Sequence, residues 1–118
     1  MVTNSSITDR TKSFAVRIVK ASCFLDEKPG VYRILSKQLL RSGTSIGANV
    51  REAQSAQSNR DFINKLEIAL KEARETQYWL EILIESELVD RHKFQLLLQE
   101  ANEIGKILVA STKRLKGK

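Results

Sequence analysis

Cysteine, histidine and tryptophan are almost absent from this chain, since each occurs once among its 118 residues. One cysteine cannot close an intramolecular disulfide or build a structural zinc site. The only histidine, His92, is expected at the exposed start of a helix, where it offers no credible base for a Ser-His-Asp or Cys-His arrangement. Cys23 falls near the apolar side of a predicted helix and is expected to be an inert core residue. We therefore expect no enzyme activity, and no cofactor or metal.

Proline and glycine are also scarce, with one and five copies. An all-β chain of this length would need a turn every ~8–12 residues, so these numbers exclude it. The only tight breaker pair is Pro29-Gly30, and weaker breaks follow at 57–59 and 87–90. The breaks divide the chain into four helix-sized segments, at residues 7–27, 31–57, 59–87 and 90–116.

Long hydrophobic runs are missing as well. No stretch approaches the ~18 apolar residues of a membrane span, and the polar first ten residues do not resemble a secretion signal. Hydrophobic residues make up 42% of the chain and charged residues 29%, which suits a packed core. We expect a cytoplasmic protein that does not bind membranes and forms one domain over residues 1–118, with a short polar N-terminal segment and a basic C-terminal tail.

Apolar and small residues recur in each segment at alternating steps of four and three, the spacing that keeps one helix face against a partner. In the third segment this stripe consists of Phe62, Leu66, Ala69, Ala73, Thr76, Leu80 and Leu83. Because the connections are short, sequential helices should be neighbours. The pattern predicts an all-α fold, an antiparallel up-down-up-down four-helix bundle.

The second segment contains a run of small residues at 42–49, Ser-Gly-Thr-Ser-Ile-Gly-Ala-Asn. Each glycine in a helix costs about 1 kcal/mol relative to alanine, so the run requires an explanation. We interpret it as a close approach of another helix over Gly43 and Gly47, with a local kink as the alternative. A phosphate-binding loop is disfavoured because the lysine and the preceding strand of a P-loop are missing. Asn49 falls at a core position, where a buried amide can fix helix register.

Two stretches carry a resemblance to a known family. Residues 40–53 resemble the second-helix signature of small bacterial four-helix bundle proteins found in intervening sequences of 23S ribosomal RNA genes. Phe62, residues 65–70 and residues 72–80 are similar to the third helix of that family. The resemblance extends over residues 13–112, and a weaker one links the chain to the accessory variability determinant of diversity-generating retroelements.

The resemblance implies a homo-oligomer, typically a homopentamer of bundles arranged as a barrel, with a role in binding nucleic acid. For the retroelement relative it implies reverse transcriptase and template RNA as partners. The link to ribosomal RNA is one of gene location, so it does not establish binding to the ribosome.

The third segment carries more apolar residues than one bundle seam uses. A helix with apolar residues most of the way round is buried on a further side, so we expect an oligomer interface anchored by Trp79. Scattered surface apolar residues are the alternative. The predicted interface residues are Ile68, Glu72, Glu75, Trp79 and Ile82. Its two glutamates are interpreted either as partners of Lys71, Arg74 or a neighbouring subunit's cation, or as solvated surface groups.

Basic residues outnumber acidic ones by 20 to 14, for a net charge of +6. If the helices alternate in direction, residues 1–16, 44–72 and 104–118 share one half of the bundle. That half holds 11 basic and 5 acidic residues, and the other half holds 9 of each. The whole surplus is therefore expected at one end. The predicted nucleic-acid-binding residues are Arg10, Lys12, Arg51, Arg60, Lys65, Lys106, Lys113, Arg114 and Lys116.

A basic end favours phosphate backbones with little sequence preference, because counterion release drives affinity whatever the bases are. No aromatic residues interleave with the cations as they would in a base-stacking surface. We predict a non-enzymatic, homo-oligomeric bundle that binds RNA or DNA through this end. The alternative is a protein-interaction scaffold that docks an acidic partner such as a reverse transcriptase or a ribonucleoprotein component.

Overall fold

A computed structural model describes the backbone of residues 2–117 and the side chains of residues 7–117. Over this range the chain forms α-helices and no strand, which confirms the predicted all-α class. The helices are α1 (Val2–Asp26), α2 (Val31–Ala53), α3 (Asn59–Glu85) and α4 (Arg91–Lys116). They lie side by side in a rod of 47 × 20 × 20 Å.

Two helices begin at side-chain caps that the local sequence supplies. The Ser58 hydroxyl accepts a hydrogen bond from the Asp61 backbone N–H at 3.1 Å at the start of α3. At the start of α4, the Asp90 carboxylate accepts one from the His92 backbone N–H at 3.1 Å. Each cap satisfies a backbone donor that has no partner inside its helix.

Two helix bounds differ from the predicted segments by more than two residues. α1 extends back to Val2, so the polar residues before residue 7 are helical. α2 ends at Ala53, four residues before the predicted limit of 57. There the backbone N–H groups of Gln54, Ser55 and Ala56 each bond to the carbonyl three residues earlier, so the chain tightens into turns and leaves the α-helical path.

The predicted stripes form the core. Burying each large apolar side chain contributes about 1.5–3 kcal/mol, so the shared interior of the four helices is the main source of stability. The largest apolar side chains with almost no exposure are Phe14, Ile18, Leu25, Leu39, Ile46, Leu80, Leu83, Ile104 and Leu108.

Each helix packs against the next one in the chain, and α1 also touches α4, though less extensively. Buried hydrogen bonds of hydroxyl groups cross two of these seams. The buried Ser36 hydroxyl donates to the Ser22 carbonyl at 3.0 Å between α2 and α1. Between α3 and α2, the hydroxyl oxygens of Thr76 and Ser42 lie 3.0 Å apart. The buried hydroxyls of Ser36, Ser42 and Thr76 thus have hydrogen-bond partners, whereas the buried Ser22 hydroxyl has none among the described residues.

The small-residue run of α2 lies directly against α1. A Cβ atom added to Gly43 would be 2.8 Å from Cγ2 of Ile18, and one added to Gly47 would be 3.2 Å from the Thr11 carbonyl oxygen. The interpretation as a close helix approach is therefore confirmed. The register role of Asn49 was wrong, because its half-buried side-chain amide donates to the Ser45 carbonyl at 2.8 Å within α2 itself.

Candidate nucleic-acid interface

The predicted cations divide into paired and unpaired groups. Four are in ion pairs: Arg10 with Glu100, Lys65 with Glu52, Lys106 with Glu103, and Lys116 with Glu67. Their charge is partly neutralised within the chain, which reduces what they can contribute to binding a polyanion. Sequence reasoning missed these pairs because three of the four join residues on different helices.

Arg10 forms the most complete of these pairs. Its Nε and Nη2 atoms donate to the two carboxylate oxygens of Glu100 at 2.7 and 2.9 Å, which links α1 to α4. Hydrogen bonding from Arg10 lowers the pKa of Glu100, and burial, which acts in the opposite direction, is the smaller effect. A two-point arginine–carboxylate pair fixes geometry as well as charge, so we assign Arg10 a structural role at this seam.

The other predicted cations form no ion pair with any side chain among residues 7–117. All are exposed, and all lie in the first half of α1, at either end of the α2–α3 connection, or at the end of α4. These unpaired cations are Lys12, Arg51, Arg60, Lys113 and Arg114. They retain their full charge for an external ligand.

A groove between α1 and α2 brings Lys12 and Arg51 together. Small residues of the α2 run, including Gly47 and Ala48, form its floor. Glu52 also lines this groove, but its carboxylate is 3.1 Å from Lys65 Nζ and is partly neutralised there. The two unpaired cations therefore face a shallow concave surface with little opposing charge.

Two further grooves lie between α3 and α4. Arg60 and Lys116 line one of about 810 Å³, at the start of α3 and the end of α4. Lys106 and Lys113 line the other, beside Gln77 and Asn102. The structure thus brings together three pairs from the predicted set, while Arg10, Lys65 and Arg114 lie outside these grooves.

The predicted interface residues are all half-buried on α3. Trp79 Nε1 donates to Glu75 Oε2 at 3.1 Å. Arg41 of α2 donates to the same oxygen, and its Nη1 atom lies 3.4 Å from Glu72 Oε1. Hydrogen bonds from Arg41 and then from Trp79 lower the pKa of Glu75. Arg41, Glu72, Glu75 and Trp79 therefore form one connected polar cluster between α2 and α3.

Arg41 is the member of this polar cluster that the sequence analysis did not predict. The predicted partners of the glutamates were Lys71, Arg74 or a cation of another subunit, whereas the structure pairs both with Arg41 of the neighbouring helix α2. One sequence feature could have indicated this pairing. Arg41 is next to Ser42, a stripe residue whose hydroxyl oxygen lies 3.0 Å from that of Thr76 in α3. Ile68 and Ile82 are half-buried beside the cluster, so part of this apolar edge is already covered within the chain.

Groups suited to catalysis are dispersed. Cys23 is exposed, so its predicted place in the core was wrong: Ser22 and Leu25 take the inward positions of that turn instead. His92 is exposed at the start of α4. Among the described residues, no three His, Cys, Asp or Glu side chains gather where they could hold a metal ion. Nor does any described helix have the length and apolar character to cross a membrane.

These features define a small all-α protein with four helices in one rod and an exposed set of unpaired cations. The chain belongs to the family of 23S rRNA-intervening sequence proteins, whose family model matches residues 3–110. The resemblance carried by the second and third segments is thereby confirmed.

A solved structure is similar to this chain over nearly its whole length. It is a protein of unknown function from the S23 ribosomal protein family of Bacteroides thetaiotaomicron, with a TM-score of 0.86 and 50% sequence identity. The match covers 94% of this chain and 98% of that one. The comparison with curated proteins gave no significant match.

Proposed function

We propose that the protein is a non-enzymatic, self-associating four-helix bundle that binds RNA or DNA through a basic end, largely independently of sequence. The observation that carries the proposal is a set of exposed cations that form no ion pair with any described side chain and lie in ranges holding 11 basic and 5 acidic residues. These five cations are Lys12, Arg51, Arg60, Lys113 and Arg114. Other cations without ion pairs, such as Arg17, Lys20 and Lys93, lie in ranges where basic and acidic residues are equal in number.

The proposal requires that the helices alternate in direction, and contacts between them support this. Ser22, late in α1, contacts Ser36, early in α2, whereas Thr11, early in α1, lies against Gly47, late in α2. The same reversed order recurs at the next two seams. The pairs there are Ser42 with Thr76 and Glu52 with Lys65, then Gln77 with Asn102 and Glu67 with Lys116. An up-down-up-down bundle would gather the unpaired cations at one end.

Electrostatics favours a nucleic acid over a neutral partner at such an end. Each cation that meets a phosphate releases condensed counterions, and this contribution does not depend on base identity. Self-association would multiply the effect, because every copy adds a net charge of +6 to the same assembly. In the homopentamer that the family resemblance implies, five basic ends would act together on one polyanion.

The binding test compares two charge-reversed double variants. We expect Lys113→Glu/Arg114→Glu to weaken the binding of short mixed-sequence RNA and DNA at least tenfold at low salt. Arg33→Glu/Lys37→Glu changes the net charge equally on exposed positions of α2 outside the basic ranges, so it should leave most of the affinity. Equal losses in the two variants would show that net charge, and no particular end, controls binding.

The assembly and the alternative partner need separate measurements. Light scattering of the purified protein at micromolar concentration should give a mass several times 13.4 kDa, and a homopentamer would give five times that value. Competition between RNA and poly-glutamate distinguishes the ligand class. If poly-glutamate displaces RNA at equal charge concentration, the basic end is a general anion site, as expected for a scaffold that docks an acidic protein.

A further inference from the structure

The seam between α1 and α4 is the least tightly packed of the four seams. These two helices contact each other least among neighbouring helices, and a groove of about 440 Å³ lies between them. Phe24 and Leu96 line it with 47% and 48% of their surface exposed. We call this the α1/α4 groove; its residues are Arg17, Lys20, Ala21, Phe24, Asp90, Lys93, Phe94, Leu96 and Leu97.

The rim of the α1/α4 groove is positively charged. Arg17, Lys20 and Lys93 form no ion pair with any described side chain. The one acid in the groove, Asp90, caps α4 by accepting a hydrogen bond from the His92 backbone N–H. An apolar floor with unpaired cations at its edge fits a partner surface that combines an apolar anchor with acidic side chains.

All but one of the described large hydrophobic side chains that are exposed lie in residues 17–43 and 73–103, the ranges that also contain the groove residues; the exception is Val16. None of the exposed large hydrophobic residues among the described side chains falls within 44–72 or 104–117, where the unpaired cations of α2, α3 and α4 lie. The exposed residues are Val16, Val19, Phe24, Val31, Ile34, Leu40, Tyr78 and Leu96. The α1/α4 groove therefore uses residues other than the cations proposed to contact phosphate, although Val16 lies one helical turn from Lys12 on α1.

The chain itself carries a surface of the complementary kind. Tyr78, Glu81 and Glu85 follow each other at helical spacing on one side of α3 and are all exposed. The Tyr78 ring is 54% exposed and is held edge-on against Trp79, with ring centroids 5.1 Å apart. Neither glutamate has an ion pair among the described residues. We call these three residues the acidic face.

We propose that the α1/α4 groove of one copy receives the acidic face of a second copy. Tyr78 would enter the groove beside Phe24 and Leu96, while Glu81 and Glu85 would meet the cations of its rim. Groove and acidic face are different surfaces of the chain, so the contact is head-to-tail and each copy can use both, which builds a ring or an open chain. The inference rests on the self-association in the proposed function and names the surfaces that carry it.

Charge exchange between the two surfaces provides the test. Lys20→Glu/Lys93→Glu reverses the rim, and Glu81→Lys/Glu85→Lys reverses the acidic face. Each double variant should lower the mass measured by light scattering at micromolar protein and low salt to that of a monomer. The quadruple variant, in which both surfaces are reversed, should recover the wild-type mass, a result that an unfolded variant cannot give.

The outcomes separate this inference from the proposed function. A monomeric wild-type chain would overturn both the self-association and the groove contact. A wild-type oligomer whose mass neither double variant changes would overturn the groove contact alone and leave self-association and nucleic-acid binding standing. Arg33→Glu/Lys37→Glu, with the same charge change as the rim variant on α2, should keep the wild-type mass, and dissociation of this variant would also count against the groove.

Discussion

At Gly43 the packing of α1 against α2 leaves no room for a methyl group. An added Cβ would be 2.8 and 2.9 Å from two carbons of Ile18, whose side chain is fully buried and cannot move aside. We expect Gly43→Ala to lower the free energy of unfolding by about 1–2 kcal/mol, because overpacking outweighs the gain in helix propensity of about 1 kcal/mol. Urea denaturation followed by circular dichroism measures the change.

Gly105 of α4 provides the matched comparison. A Cβ added there would meet no heavy atom within 4 Å, so only the helix propensity changes. Gly105→Ala should raise the free energy of unfolding by about 0.5–1 kcal/mol. Equal effects at the two glycines would mean that α1 and α2 are not as close as their contacts indicate.

The ion pair of Glu100 with Arg10 makes the stability of the fold depend on pH. Its pKa lies below the ordinary value of 4.5 because Arg10 bonds to the ionised carboxylate in the folded state. The stabilisation is therefore complete above the unfolded pKa and is lost as the pH falls through the lowered folded pKa. We expect the melting temperature of the wild type to fall over this acidic window, and that of Glu100→Gln to fall less because the variant has no such carboxylate to protonate.

Glu27→Gln serves as the reference for this measurement. Glu27 is exposed beyond the end of α1 and forms no ion pair with the described side chains. Its removal should leave the pH dependence of the melting temperature as in the wild type. A pH profile of Glu100→Gln that overlays the wild-type profile would contradict the assigned role of the Arg10 pair.

Individual side chains also show what could not be predicted from the sequence. The spacing of apolar residues predicted which face of α1 is buried. Cys23, expected in the core because it falls near that face, is exposed, and the buried positions of that turn are Ser22 and Leu25. The buried Ser22 hydroxyl has no hydrogen-bond partner among the described residues, and it is the Ser22 backbone carbonyl that accepts a hydrogen bond from Ser36. The pairing of Arg41 with Glu75 depends on the register between two helices, which spacing within one segment does not reveal.

At the scale of a helix, the start of α3 depends on one hydroxyl. Ser58 accepts from the Asp61 backbone N–H, and the Asp61 carboxylate accepts from the Gln57 N–H at 3.3 Å in return. Ser58→Ala should lower the free energy of unfolding by about 1 kcal/mol, because a helix donor loses its partner. Ser55→Ala, an exposed position in the preceding turn, should change it by less than about 0.5 kcal/mol. Similar losses at both serines in chemical denaturation would argue against the cap.

A helix limit could be predicted from the sequence where residues a few positions apart determine it. Ser58 and Asp90 begin α3 and α4 because capping needs only residues a few positions apart. The end of α2 was misplaced because residues 54–57 contain no proline or glycine to mark it. The backbone turns there through bonds between residues three apart, directly after the buried Ala53.

At the scale of the whole molecule, the cations proposed to bind phosphate and the α1/α4 groove are formed by different residues. Unpaired cations such as Lys113 and Arg114 lie in one set of residue ranges, and the exposed apolar side chains of the α1/α4 groove lie in the other. Composition revealed the surplus of positive charge. The ion pairs that partly neutralise four of the predicted cations could be identified only from the structure. Self-association and nucleic-acid binding can therefore operate together, since neither proposed surface covers the other.

Salt dependence measures how many cations reach phosphate. For duplex DNA, each phosphate contact contributes about 0.9 to the slope of log affinity against log salt concentration. Lys113→Gln/Arg114→Gln should therefore reduce the magnitude of this slope by about 1.8 for each copy whose two cations both bind phosphate. Arg33→Gln/Lys37→Gln should preserve the slope, because those residues lie outside the proposed contact surface. If neutralising Lys113 and Arg114 lowers affinity by the same factor at every salt concentration, they act without releasing counterions, and the end of α4 does not contact the phosphate backbone.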